Sequence, residues 1–152
     1  MRAPLLFTCL LLALAIGVST EGWAAESRQH DHPTETLSLD HGKKWSVDDP
    51  LRQSMDAIRS STVRAFTLPQ KDTLGHLAKT IQMETDNIIR QCRLPPTADA
   101  TLHVFLAKLL EHGPKLTFAS SPGESKQNLM AIVETLNHYG HYFDHPDWRD
   151  IR

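Results

Sequence analysis

With 152 residues, 22% of them charged, and a net charge of −2, the chain has the make-up of an ordinary globular protein. A near-neutral balance without a basic stripe argues against nucleic-acid binding, which depends on neutralising phosphates. The length suits one domain of ~100 to 150 residues behind a leader, large enough to bury a core without staples.

The first stretch is MRAPLLFTCLLLALAIGVSTEGWAAES. Arg2 precedes an apolar run from Leu5 to Val18, and Gly22 and Ala24 put small residues at the two positions a signal peptidase reads. Residues 1–24 are therefore predicted to be a cleaved secretory signal peptide. The run falls short of the ~20 residues needed to cross a bilayer, and no second one follows, so no membrane span is expected. Cys9 lies inside the run and lacks the small residues that precede a lipid-attachment cysteine. The expected location is the bacterial periplasm. Cleavage would leave Cys92 as the single cysteine, which excludes an internal disulfide, and the c-type haem motif C-x-x-C-H is absent. Cys92 then has three readings: a buried inert thiol, half of an intermolecular disulfide, or a metal or redox ligand.

Residues 25–47 are polar, carry Pro33 and Gly42, and hold no helical or strand period. They read as a flexible arm, with Leu37, Leu39 and Trp45 as docking points on the folded part. His30 and His32 flank Asp31 there, either as solvated polar residues or as a weak grip on a divalent metal.

Residues 48–152 carry four amphipathic patterns. In the first, Asp48 or Asp49 caps the opening turn, Pro50 suits the first helical position, and Leu51, Met55, Ile58, Thr62 and Phe66 recur every three or four residues up to Pro69. The second starts at Asp72 or Thr73, carries Leu74, Leu77, Ile81, Ile88 and Cys92 on one face, and stops at Pro95 and Pro96. Thr97 or Asp99 caps the third, which is lined by Leu102, Phe105, Leu106, Leu109 and Leu110 and stopped by Gly113 and Pro114. A polar connection, TFASSPGESKQ, leads to the fourth, with Leu129, Ile132, Val133, Leu136, Tyr139, Gly140 and Phe143 as its stripe and Pro146 at its end. With no alternating strand pattern, the expected fold is all-α, an up-down-up-down four-helix bundle.

The closing stretch NHYGHYFDHPDW concentrates histidines and aromatic rings. With the stripe centred on Leu136, His138, His141 and, if helical, His145 fall roughly 140° to 200° round from it, towards water. That orientation argues against a haem buried in the bundle and leaves open a surface site for copper or zinc on His138, His141 and His145. The competing reading is structural: histidines beside the last carbonyls of a helix, with Tyr142, Phe143 and Trp148 folded over the end of the core. Met55 reads as core filling, His103 as hydrogen-bonded at the border of its stripe, and His76 as solvent-facing. Arg52, Arg59 and Arg64 read as surface charge. Glu84 and Asp86 find no carboxylate partner at acid–base spacing, and no nucleophile sits beside a histidine in a recognisable motif, so no enzyme is expected.

Three stretches, LDHGKKWSVDDPLRQSMDAIR, CRLPPTADATLHVFLAKLL and LNHYGHYFDHPDW, resemble a family of small exported proteobacterial proteins termed DnrO-like. The resemblance implies a periplasmic helical bundle and transfers no activity or catalytic residue. Two functions are open: a non-enzymatic periplasmic protein that binds copper or zinc through histidines, and an accessory module whose exposed aromatic tail docks on a respiratory or envelope complex. A monomer or weak dimer is expected.

Overall fold

A computed structural model describes residues 37–152. The expected signal peptide, the first part of the arm, Cys9, His30, Asp31 and His32 lie outside the described residues.

The described chain is mostly helical. It runs β1 (Trp45–Ser46), α1 (Asp49–Thr67), α2 (Lys71–Gln91), α3 (Pro96–His112), α4 (Lys115–Phe118), α5 (Pro122–Tyr142) and β2 (Phe143–Asp144). The start of α1 follows the sequence signal: Asp48 Oδ1 accepts the Leu51 amide at 3.0 Å, satisfying one of the donors a helix leaves unpaired in its first turn. For α2, the Gln70 amide donates to Thr73 Oγ1 at 3.0 Å, so the helix opens slightly before the expected Asp72 or Thr73. Neither Thr97 nor Asp99 caps α3, which begins at Pro96 without a side-chain cap bond.

Two further differences change the molecule. The connection after α3 is partly helical: α4 makes one turn, and Ser121 caps α5 by accepting the Glu124 amide at 3.2 Å, with Pro122 in the first turn. At its far end α5 stops at Tyr142, short of Pro146, because Phe143 and Asp144 turn extended and pair in parallel with Trp45 and Ser46. Residues 37–47 are therefore not a free arm. Leu37, Trp45 and Val47 pack on the core, and Trp45 Nε1 donates to the Ser38 carbonyl at 2.7 Å. Leu39, the third expected docking point, is exposed.

The core is where the stripes meet. Leu51, Met55 and Ile58 of α1, Leu77, Ile81 and Ile88 of α2, Leu102, Phe105 and Leu109 of α3, and Ile132, Leu136 and Tyr139 of α5 are all buried. Each large apolar side chain so enclosed contributes about 1.5–3 kcal/mol relative to exposure. Met55 is one of these filled positions. Gly113 ends α3 with right-handed backbone, φ −54, so its lack of a side chain is needed for packing rather than for a turn. A Cβ there would lie 3.0 Å from the Leu109 carbonyl oxygen and 3.2 Å from Ile81 Cγ2. Among the described residues no helix is long and apolar enough to cross a membrane.

Candidate functional site: the histidine-bearing end of the last helix

The three C-terminal histidines do not share a face. His138 and His141 are exposed on α5, one turn apart, with ring centroids 5.8 Å apart and tilted by 42°. His145 corrects the expectation. Because α5 ends at Tyr142, the chain has left the helical path before residue 145, and the His145 side chain turns inward with none of its surface exposed.

Once inside, His145 is bonded through both ring nitrogens. Nε2 lies 3.2 Å from Asp56 Oδ1, and Nδ1 lies 3.1 Å from the Tyr139 hydroxyl. A carboxylate only accepts, so Nε2 carries the hydrogen and Nδ1 accepts from the Tyr139 hydroxyl, which leaves the neutral ring satisfied on both sides. Burial holds the pKa of His145 below the usual histidine value of 6.5. Asp56 opposes this, and Arg52 and Arg59 add to it. Burial also raises the Tyr139 phenol well above its ordinary value, so Tyr139 stays a neutral donor.

Aromatic rings close this end of the core. Tyr139 stacks on Phe143 at 4.8 Å and meets Trp148 edge-on at 4.8 Å. Trp148 Nε1 donates to the Leu136 carbonyl at 3.2 Å, and the Arg59 guanidinium lies 5.7 Å from the Trp148 ring. The aromatic tail expected to be free for docking is thus packed against α5 and α1.

Cys92 sits at the C-terminal cap of α2, half-buried, and its thiol donates to Asp48 Oδ1 at 3.4 Å. Burial and then the neighbouring Asp48 carboxylate push its pKa up to about 12, which favours the thiol over the thiolate. His103 is exposed, with Nδ1 2.9 Å from the Asp99 carbonyl, and His76 is exposed. Arg52 pairs with Asp49 at 2.7 Å, while Arg59 Nε donates to the Arg149 carbonyl at 2.8 Å. Glu84 is held by Ser54 Oγ at 2.8 Å and Asn87 Nδ2 at 3.2 Å in the seam between α1 and α2.

Among the described residues no three His, Cys, Asp or Glu side chains already converge as a metal-holding group. No family model, curated protein or solved structure matches the chain.

A further histidine near this end of α5 carries no signal in the sequence. His112, the last residue of α3, carries no motif and stands before a Gly-Pro stop that reads as punctuation. In the fold it shares a cleft of about 170 Å³ with His138. Only the packing of α3 against α5, which no local pattern encodes, brings them together.

Proposed function

We propose that this is a non-enzymatic exported protein, an up-down-up-down four-helix bundle working in the periplasm, that binds copper or zinc at the outward histidine face of α5. The observation that carries this reading is the exposed His138 ring on a helix whose inner face is locked into the core, with the His141 ring 5.8 Å away showing that a second imidazole can approach it. Imidazole nitrogen suits both metals, and water completes the coordination of a two-histidine site. His145 is left out of the ligand set, because its nitrogens are engaged by Asp56 and Tyr139. The bundle topology is supported by Asp48, just before α1, accepting the amide of Arg93, just after α2, at 2.7 Å. The resemblance to DnrO-like proteins agrees with an exported helical bundle and assigns no chemistry.

Equilibrium dialysis of the exported chain against zinc(II) or copper(II) tests the proposal, with His30 and His32 changed to alanine to silence the arm. About one ion per chain is expected at neutral pH, with release on acidification, since a metal takes only neutral imidazole. Uptake should also be lost in the His138→Ala variant. No uptake, or uptake indifferent to His138, would contradict the reading.

A second reading, docking on an envelope complex, is supported by two exposed apolar residues outside the packed aromatic tail. Phe118, at the end of α4, is 83% exposed, and Leu68 between α1 and α2 is 48% exposed. Large apolar side chains left in water are candidates for contact with a partner surface.

A further inference from the structure

The cleft shared by His112 and His138 lies between the end of α3 and the outer side of α5, and Lys108, Glu111 and Glu134 also line it. Asn128, 7% exposed, sets the chemistry of His112. Its Nδ2 donates to the Glu124 carbonyl at 2.9 Å, which turns Oδ1 towards His112 Nδ1 at 3.0 Å. An amide oxygen only accepts, so the hydrogen of the neutral ring sits on Nδ1 and the lone pair on Nε2. Metal-bound histidines show this arrangement: one nitrogen is fixed by a hydrogen bond to a neighbour, and the other is left free for the ion.

We infer that His112, through Nε2, and His138 form a transition-metal site that joins α3 to α5 across this cleft. The inference rests on the reading that the metal is taken at His138, and it names the second ligand. Two features favour His112 over His141 as that ligand: the tautomer is set in advance, and the ring is half-buried where water competes less. Glu111 is partly spent on Lys115, 2.9 Å away. Two imidazoles and waters complete the shell, with Glu134 as the nearest carboxylate on the same face of α5 as His138, one turn earlier.

Calorimetric titration with zinc(II) of the exported chain, its arm histidines replaced as above, tests the inference across His112→Ala, His138→Ala and His141→Ala. Loss of at least about tenfold in affinity is expected for His112→Ala and for His138→Ala, as for removal of a well-placed metal-site group, while His141→Ala stays within about threefold. His112→Gln, whose amide can still donate to Asn128, should lose zinc as His112→Ala does while melting at the wild-type temperature without metal. If His112→Ala and His112→Gln bind like wild type while His138→Ala and His141→Ala lose zinc, the site belongs to α5 alone and the cross-helix site is wrong. If the wild type itself binds nothing, the metal reading falls and takes this inference with it.

Discussion

His145 shows how far the placement of one residue alters the chemistry of a segment. In the sequence it completes a trio with His138 and His141, and in the fold it is a buried link between Asp56 and Tyr139. Because burial lowers its folded-state pKa below 6.5, the folded protein holds that proton less tightly than the unfolded chain does. The stabilisation it provides is complete above 6.5, and is lost as pH falls through the lower folded value. His145→Leu removes the acceptor for the buried Tyr139 hydroxyl and the donor to Asp56. It should cost about 1–3 kcal/mol in urea denaturation at neutral pH. The gap between wild type and variant should narrow on acidification, since only the wild type has this proton to gain on unfolding. A constant gap would mean that folding does not lower the pKa of His145, and a gap that widens below 6.5 that the folded state favours the charged ring.

At the scale of elements, α5 and the strap that follows it form one unit. Asn137 Nδ2 donates to the Ile151 carbonyl at 3.2 Å and its Oδ1 accepts the Ile151 amide at 2.8 Å, so the tail returns along the helix it has just left. Gly140 makes room for that return. A Cβ at this position would overlap Trp148 Cδ1 and lie 2.8 Å from Nε1. In an open helix, Gly→Ala gains about 0.5–1 kcal/mol from backbone entropy. At Gly140 the sign reverses, and Gly140→Ala should lose about 1–3 kcal/mol through displacement of Trp148, read by urea denaturation and by a shift in tryptophan fluorescence. A stabilised variant would show that the indole does not rest on the helix. The stripes of all four long helices were legible because periodic apolar residues report the buried face whatever lies opposite: Leu51, Met55 and Ile58 in α1 and Leu129, Ile132 and Leu136 in α5 are buried where the spacing put them. The end of α5 was not legible. Pro146 is a strong local stop, but the helix gives way earlier to a pairing between Phe143–Asp144 and Trp45–Ser46, and nothing near either partner announces a contact across the whole chain. Ser121, Pro122 and Glu124 did carry a helix start, hidden inside a stretch whose polarity reads as loop.

The whole molecule places its histidines in two different environments at and near the end of α5. His145 faces inward, where the network with Asp56 and Tyr139 holds the terminal strap. His138 faces outward with His141 beside it and His112 across the cleft. The outward face was foreseeable from the helical angle of His138 and His141, whereas His112 enters only through the packing of α3 against α5. That packing also makes the proposed site sensitive to folding: an ion bridging two helices binds the native state alone, and so stabilises it in proportion to its occupancy. The division between inward and outward rings is most directly tested by following the imidazole resonances of ¹⁵N-labelled protein during a zinc(II) titration at neutral pH. The rings of His138 and His112 should shift or broaden together as the first equivalent is added, with His145 unchanged until the protein unfolds. An early response from His145, or a titration in which neither His138 nor His112 responds, would contradict the account.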